Sequence, residues 1–321
     1  MSDAEQPGAI LLAGPTASGK SALAMMLAAR LGGQVINADS MQVYADLRIL
    51  TARPTPAEEA LVPHALYGVR DAAEAGSAAW WRGAALAAME AARAAGRVPI
   101  LVGGTGLYFA ALTEGLAEIP PVPEAARAEA RARLAAEGPA ALHAALALRD
   151  PITAARLKPG DSQRIARAYE VALGTGRPLS AWLAAGGTGP APWRFRGIVL
   201  DPPRDTLRAA IAARFDAMLA EGALAEVAAL AARGLDAALP AMRAHGVPEL
   251  IAHLGGGMSL AEAKARAVLN TGQYTKRQAT WFRHHPLAAG GTRIFDARFA
   301  VKTQDSECLY EYCAAFLEFP R

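Results

Sequence analysis

The feature that most constrains the fold is an eight-residue segment near the N-terminus, Gly-Pro-Thr-Ala-Ser-Gly-Lys-Ser at 14–21, which matches the phosphate-loop pattern. An apolar run over 9–13 precedes it, and apolar side chains recur at helical spacing over 22–31, after which two glycines follow. Strand, glycine loop and helix form the context in which such a loop binds phosphate. We therefore favour a phosphate-binding loop over a turn that matches by chance.

In such a loop the backbone N–H groups curl around phosphate oxygens, and the following helix N-terminus adds a favourable field. We expect Lys20 to neutralise terminal oxygens and Ser21 to hold Mg²⁺, which is the expected cofactor. The predicted phosphate or diphosphate contacts are Gly14, Pro15, Thr16, Ala17, Ser18, Gly19, Lys20 and Ser21. The loop alone leaves open whether the phosphate belongs to ATP, to another donor or to a leaving diphosphate.

Further strands are indicated by short apolar runs that end in polar or glycine-rich segments. Val35 and Ile36 lead to Asp39 and Ser40, and the run over 99–102 leads to Gly-Gly-Thr-Gly at 103–106. Strands that alternate with helices predict an α/β fold, a parallel P-loop sheet core flanked by helices. Since ligands collect beyond the carboxyl ends of such strands, we expect the three segments to converge on one crevice.

The strand signal is interrupted by arginine-rich helical patterns from Glu124 to Leu183, with prolines on one side and a Gly-rich and Pro-rich stretch on the other. We interpret this stretch as an inserted all-helical domain. The sheet pattern returns at 197–201, which predicts a discontinuous core whose last strand follows the insertion. The expected divisions are 1–119 for the first part of the core, 120–193 for the inserted helical domain and 194–321 for the second part with C-terminal helices.

Composition excludes several classes of protein. The chain of 321 residues is 53% hydrophobic and carries 33 Lys+Arg against 30 Asp+Glu, so its charge of +3 does not predict wholesale polyanion binding. Two cysteines are too few for a disulfide framework or a zinc site. We found neither a signal peptide nor an uninterrupted apolar stretch of about 18 residues. We expect a cytoplasmic, monomeric protein that does not bind membranes.

The polar residues at the strand ends allow more than one interpretation. Asp39 could bind Mg²⁺ or substrate in a kinase, or it could be the N-cap of a helix that begins near Ser40. Gln42 and Tyr44 carry an amide and a phenol suited to reading a base. The glycine turn at 103–106 could be only a tight connection between a strand and a helix.

Five segments, in order, make the chain similar to the tRNA dimethylallyltransferase family, also called tRNA isopentenyltransferases, over nearly its whole length. They are the phosphate loop at 14–21, Asp-Ser-Met-Gln-Val-Tyr at 39–44, Gly-Gly-Thr-Gly-Leu-Tyr at 103–108, Asp-Ser-Gln-Arg-Ile at 161–165 with Arg167 and Glu170, and Tyr-Thr-Lys-Arg-Gln at 274–278 with Thr-Trp-Phe at 280–282. The resemblance implies transfer of a dimethylallyl group from dimethylallyl diphosphate to N6 of the adenosine just 3′ of a tRNA anticodon.

The resemblance also implies roles for individual residues. Asp39 corresponds to the general base, Thr105 to a tRNA contact at the reaction centre, and Lys20 and Arg214 to the cations that bind diphosphate. The tRNA anticodon stem-loop is the expected macromolecular partner, and 120–193 is then the expected tRNA-binding domain. The predicted contacts of the stem-loop are Asp39, Ser40, Met41, Gln42, Thr105, Arg127, Gln163, Arg164, Ile165, Ala166, Arg167, Lys276 and Arg277.

The chemistry asks for the same residue types. A carboxylate must accept a proton from the weakly nucleophilic adenine amine, and a leaving diphosphate needs preorganised donors. The target base must leave the anticodon stack to react. The cations and aromatics from Tyr274 to His285, with Gln278 among them, are typical of an RNA surface. Arginines on alanine-rich helices are commonly solvated, however, and Trp281 and Phe282 could be core residues.

Two other functions fit part of the pattern. A small-molecule or nucleoside kinase could use the same loop for ATP, and a nucleotide-switched RNA-binding module would need the basic helices but not Asp39. The chain also departs from the family pattern. Arg53 replaces the usual lysine, so its role is open. His64 stands alone where paired histidines are usual, and we interpret it as structural. The variant segment 243–247 has no assigned chemistry.

Overall fold

The fold is built on one parallel β-sheet. The computed structural model describes residues 6–288, 291–299 and 304–317, and within them the sheet has six strands in the order β3-β2-β4-β1-β5-β6. All five pairings between neighbouring strands are parallel. The strands are β1 (Gly8–Ala13), β2 (Gly33–Asn37), β3 (His64–Ala65), β4 (Val98–Gly103), β5 (Arg194–Leu200) and β6 (Thr292–Phe295).

The chain divides into two compact units. One comprises the sheet, with the residues up to Thr113 and from Ala191 onward, and the other is Glu114–Pro190. In the sheet unit the helices are α1 (Lys20–Leu31), α2 (Pro56–Leu61), α3 (Ala78–Ala94), α4 (Gly106–Thr113), α9 (Arg204–Glu221), α10 (Ala223–Ala232), α11 (Val247–Leu254), α12 (Leu260–His284) and α13 (Gln304–Leu317), with a 3₁₀ helix at Ala241–Arg243.

Both faces of the sheet are covered, because successive side chains of a strand point to opposite sides. In β1, Leu11 packs with residues of α3, α4 and α9 to α12, whereas Ile10 and Leu12 pack with Leu23 of α1 and Leu309 of α13. Both β1 faces are therefore apolar, as expected of a central parallel strand. Because the helices cover the two faces of the sheet, the carboxyl ends of the strands are occupied by the loops that follow the strands.

The second unit is helical and has its own small core. Its helices are α5 (Glu124–Arg149), α6 (Pro151–Arg156), α7 (Ser162–Thr175) and α8 (Leu179–Ala184). Helix α5 is interrupted at Gly138, whose φ of 80° no helix allows, and Pro139 follows it. Leu142 and Leu146 of α5 pack against Ile165 and Tyr169 of α7.

The predicted fold class is confirmed: a parallel sheet with helices on both faces and a separate helical unit. Two strands were missed. The two-residue β3 is too short to give a pattern, and β6 has the sequence Thr-Arg-Ile-Phe with no fully buried position. The expectation that 197–201 is the last strand is therefore wrong. None of the helices within the described ranges combines the length and hydropathy that a membrane crossing requires.

Candidate active site

A cavity of about 880 Å³, including its opening to solvent, lies beside the carboxyl ends of β1, β2 and β4. Its lining includes two cations, Lys20 and Arg214, and a carboxylate, Asp39. The full lining is Thr16, Lys20, Ser21, Asp39, Met41, Gln42, Leu50, Thr51, Val102, Ile211, Arg214, Phe215, Met218, Ala244, His245, Thr271 and Tyr274. The cavity thus brings together the phosphate loop and the Asp39 segment, two of the three segments that the sequence predicts to converge.

The loop between β1 and α1 has the backbone that glycines permit. Gly19, directly before α1, has a φ of 92°, which disfavours any residue with a Cβ. Ala17 adopts a φ of 67° without that freedom, so the loop stores local strain. The Lys20 ammonium donates to the Pro15 carbonyl oxygen at 3.1 Å. An anion would compete with this contact for the ammonium group.

Partial removal from water perturbs both cations. Burial lowers the pKa of Lys20 to about 8; the Asp39 charge opposes the change and the Arg214 charge adds to it. Burial also lowers the pKa of Arg214, again opposed by Asp39, although a guanidinium keeps its proton at neutral pH. Two cations held in a poorly solvated place are stabilised when an anion binds between them.

Asp39 is held by its own loop. Asn37, fully buried at the end of β2, accepts the Asp39 N–H at 2.8 Å and donates to the Asp39 carbonyl at 3.0 Å. Asp39 Oδ1 in turn accepts the Met41 N–H at 2.9 Å. No helix begins at Ser40, so the N-cap interpretation of Asp39 is wrong. Oδ1 is therefore engaged by the loop, and Oδ2 accepts no hydrogen bond from the residues that the structure describes.

Thr105, in the glycine turn after β4, joins that turn to the Asp39 loop. Its Oγ1 accepts the Ser40 N–H at 3.0 Å and donates to the Ser40 hydroxyl at 3.3 Å. Thr105 also lies near the Tyr274 phenol, where its hydroxyl acts to lower the phenol's pKa. Burial and the Asp39 charge raise the pKa of Tyr274 to about 12, so the phenol stays protonated at neutral pH.

Gln278 of α12 joins the glycine turn to the phosphate loop. Its Oε1 accepts the Thr16 N–H at 3.0 Å and its Nε2 donates to the Gly104 carbonyl at 2.9 Å. A Cβ on Gly104 would lie 2.0 Å from that Nε2. Gln278 is only 3% exposed, so the expectation that it belongs to an RNA surface is wrong. The Thr16 amide is also engaged and is not free for phosphate.

The other residues of the C-terminal motif lie on different faces of helix α12. Phe282 is a core residue that packs edge-on against Phe109, and Trp281 stacks on His285 at 4.0 Å. The predicted RNA contacts Lys276 and Arg277 are exposed on the same helix. The core interpretation is confirmed for Phe282, whereas Trp281 is half-buried against the same core. The basic pair lies on the solvent side.

The variant segment 243–247, which had no assigned chemistry, supplies His245 to the cavity. Its ring lies 4.8 Å from that of Tyr274. Burial and the Arg277 charge lower the pKa of His245, opposed by Glu249 and Asp39, so the imidazole is neutral at pH 7. The rest of this wall is apolar and comprises Leu50, Ile211, Phe215, Met218 and Ala244. No sequence motif marked these residues, because their elements are far apart in the chain.

The candidates on α7 follow its amphipathic pattern. Gln163, Arg164 and Arg167 are exposed, and both arginines pair locally, Arg164 with Asp161 at 3.5 Å and Arg167 with Glu170 at 2.6 Å. The Ile165 side chain is fully buried in the helical unit and so is not available to RNA, and Ala166 is half-buried against the same core. Arg127, on α5, lies within 4.0 Å of Glu124.

The loop after β2 contains two more residues with predicted roles, Tyr44 and Gln42. Tyr44 is 1% exposed and its hydroxyl accepts the Gly76 N–H, so the prediction that it reads a base is wrong. Gln42 lines the cavity, while its Nε2 donates to the Thr51 and Ala52 carbonyls.

Arg53 and His64 have structural contacts. Arg53 Nη1 donates to the Tyr44 and Ala45 carbonyls, and the guanidinium fills the space that a Cβ on Gly68 would need. His64 Nδ1 lies 2.8 Å from the Val62 carbonyl oxygen on the edge strand β3. The structural interpretation of His64 agrees with this contact.

The chain therefore has the features of a P-loop α/β protein whose phosphate loop, carboxylate and apolar wall share one cavity. Comparison with known families identifies it further. The family model described as IPP transferase matches residues 42–285, and the one described as isopentenyl transferase matches residues 7–62. The chain belongs to this family, and the resemblance inferred from its five motifs is confirmed.

Relatives agree over nearly the full length. The chain is 60% identical to the tRNA dimethylallyltransferase of Acidiphilium cryptum, covering 96% of this chain and 94% of that protein. It is 58% identical to the enzyme of the same name from Gluconacetobacter diazotrophicus, over 98% and 95% of the two chains.

Solved structures match as well. The full-length tRNA isopentenylpyrophosphate transferase from Bacillus halodurans superposes with a TM-score of 0.70 at 33% identity, covering 98% and 97% of the chains. A eukaryotic dimethylallyltransferase acting on tRNA gives a TM-score of 0.80 at 26% identity, covering 97% of this chain and 80% of that one.

The Gln278 bridge can be tested by truncation. In Gln278→Ala, the buried Thr16 N–H and Gly104 carbonyl lose their partner, and we expect the free energy of unfolding to fall by about 2 kcal/mol. Inorganic diphosphate should also bind more weakly, because the phosphate loop loses its hydrogen bond to helix α12. Gln273→Ala, at an exposed position of the same helix, is the control. Denaturant unfolding and titration calorimetry measure both effects, and equal values for the two variants would contradict the bridging role.

Proposed function

We propose that this chain transfers a dimethylallyl group from dimethylallyl diphosphate to N6 of the adenosine 3′-adjacent to the anticodon of tRNA, releasing diphosphate. The observation that carries the proposal is the cavity, in which two cations and an apolar wall lie in the same space as a carboxylate. The relatives' shared name supports the same activity.

The cavity favours a prenyl donor over ATP. A diphosphate can bind between Lys20 and Arg214, while the five-carbon chain packs on Phe215, Met218 and Ile211. The relatives, which are named for dimethylallyl transfer and not for a kinase reaction, support the same choice. The apolar contact also excludes water, which would otherwise compete with the amine for the allylic carbon.

In the proposed reaction, individual residues have separate roles. As the bond between the adenine N6 and the allylic carbon forms and the bond from carbon to diphosphate oxygen breaks, Asp39 Oδ2 accepts the N6 proton. Lys20 and Arg214 stabilise the negative charge that develops on the leaving diphosphate. The protonated Tyr274 and the neutral His245 add polar and aromatic contacts for the extruded base.

Magnesium fits the donor set as a companion of the diphosphate. Among the described residues no group of three or more His, Cys, Asp or Glu could chelate an ion unaided. The hydroxyl of Ser21, which lines the same cavity as Lys20 and Arg214, could supply one ligand, with diphosphate oxygens and waters supplying the others, as is usual for Mg²⁺. Bound in this way, the ion would neutralise charge on the leaving group.

RNA contacts are proposed for two exposed basic pairs. Lys276 and Arg277 lie on the helix that supplies Tyr274 to the cavity, and the Arg277 guanidinium lies 5.5 Å from the Tyr274 ring centre. Arg164 and Arg167 form a second pair on α7, where Gln163 is also exposed. These side chains would bind phosphates and hold the loop without reading its sequence.

The activity and its base are tested together. Wild-type protein incubated with labelled dimethylallyl diphosphate and unmodified tRNA should incorporate label into RNA. Asp39→Asn keeps an acceptor for the Met41 N–H but cannot take the proton, so we expect kcat to fall about 10²- to 10⁴-fold with tRNA affinity retained. Asp205→Asn, at an exposed position of α9, is the matched control. Full turnover by Asp39→Asn would rule out this base, and phosphate transfer from ATP without label in RNA would favour a kinase.

The lowered pKa of Lys20 predicts a pH dependence. Lys20 is charged below its pKa of about 8 and neutral above it, so kcat/KM for dimethylallyl diphosphate should fall as pH rises through about 8. In Lys20→Arg this inflection should be absent, because arginine stays protonated. Lys158→Arg, which changes an exposed lysine, should keep the wild-type profile. An unaltered inflection in Lys20→Arg would assign it to another group.

The basic pairs are tested by the salt dependence of tRNA binding. Replacing Lys276 and Arg277 by Gln should reduce the slope of log K against log salt by about 1.4 to 1.8, as expected for two lost phosphate contacts, and replacing Arg164 and Arg167 should do the same. The control is Arg93→Gln with Arg97→Gln, exposed positions next to the amino end of β4. A slope equal to that of the control pair would show that the tested residues are only solvated.

A further inference from the structure

Two residues that follow β6 form hydrogen bonds with the backbone of the phosphate loop. The Phe299 N–H donates to the Ser18 carbonyl at 3.0 Å, and the Arg298 Nε–H donates to the Ala17 carbonyl at 3.0 Å. Phe299 is 6% exposed and is anchored in the core between the sheet and α13. We refer to Arg298 and Phe299 as the strap.

The strap supports a strained turn. Ala17 has a φ of 67°, and its carbonyl is the one that Arg298 holds. Gly19 has no room for a side chain, because a Cβ there would lie 2.5 Å from the Phe299 carbonyl oxygen. Since a trans peptide is planar, the bond from Phe299 to the Ser18 carbonyl turns the Gly19 N–H away from the strap. The strap thus fixes the orientation of the loop's peptide planes.

A second cavity of about 960 Å³, including its opening to solvent, lies beside Arg298 and the phosphate loop. Its lining is Ala17, Ser18, Gly19, Lys20, Ser21, Ala210, Ala213, Arg214 and Arg298. Three of these residues, Lys20, Ser21 and Arg214, also line the first cavity, so the same two cations face both spaces. The Ser18 hydroxyl oxygen is buried and has no hydrogen-bond partner among the described residues.

The charges in this second cavity are unbalanced. Its described lining holds Lys20, Arg214 and Arg298 but no carboxylate. The Arg298 charge contributes to lowering the pKa of Arg214, so the two guanidinium groups repel each other. With Nε bound to Ala17, the two terminal nitrogens of Arg298 can form the forked pair of bonds that arginine makes to phosphate oxygens.

From this arrangement we propose that Arg298, held in place by the phosphate loop, is a third diphosphate-binding cation and binds the outer phosphate of dimethylallyl diphosphate and of the diphosphate product. The inference rests on the proposed function and extends it to a residue in none of the five motifs. Phe299 has a positioning role, because its backbone and buried ring keep Arg298 beside the loop.

The test compares Arg298→Gln with Arg293→Gln, which removes an exposed arginine on β6 that does not line this cavity. We expect Arg298→Gln to weaken the binding of inorganic diphosphate about tenfold and to raise KM for dimethylallyl diphosphate by a similar factor, with a smaller change in kcat. Arg298→Lys should restore part of the affinity, since it keeps the charge but not the fork. Affinities for diphosphate that agree within twofold between Arg298→Gln and Arg293→Gln would overturn the proposal.

A measurement on the wild-type chain keeps the proposal testable if Arg298→Gln does not fold. Phenylglyoxal modifies exposed arginines, and peptide mapping reports each site separately. Inorganic diphosphate should protect Arg298 and leave Arg293 reactive, whereas equal modification of Arg298 with and without diphosphate would contradict the proposal. Failure of the wild-type chain to label tRNA would instead contradict the proposed function, and the diphosphate results would be unaffected.

Discussion

The site depends on the close parallel pairing of β1, β4 and β2. The register places Ala13 beside Gly103 and Val102 beside Asn37, so the phosphate loop, the glycine turn and the Asp39 loop begin at the same edge of the sheet. Gly103 is needed for this contact, because a Cβ there would lie 1.9 Å from the Ala38 carbonyl oxygen. Any larger residue would separate the strand ends and move the carboxylate away from the cations.

Hydrogen bonds between the three loops then make the edge rigid. Thr105 connects the glycine turn to the Asp39 loop, and Gln278 connects it to the phosphate loop. Both bridges use neutral side chains, which bind backbone groups without adding charge to a site whose electrostatics already depend on Lys20, Arg214 and Asp39. Such preorganisation matters because charge that develops during a reaction is stabilised best by groups that need not move.

Helix α12 serves several parts of the site through its different faces. Gln278 and Phe282 point into the protein, Tyr274 faces the cavity, and Lys276 and Arg277 are exposed. A motif that reads as an uninterrupted basic and aromatic run in the sequence is therefore divided by the helical period among packing, positioning and a candidate RNA surface. This division explains why Gln278 was assigned wrongly to the surface.

The sequence by itself determined the phosphate loop, the helices on both faces of a parallel sheet, and Asp39 at the end of the second strand, because local periodicity and short motifs encode these features. It did not determine the cavity wall, the Gln278 bridge or the strap, since each joins segments separated by tens to hundreds of residues. Only the tertiary structure decided that Tyr44 is buried while His245 lines the cavity. The physical reason is that burial and neighbouring charge are set by packing between distant elements, whereas backbone preference is set by adjacent residues.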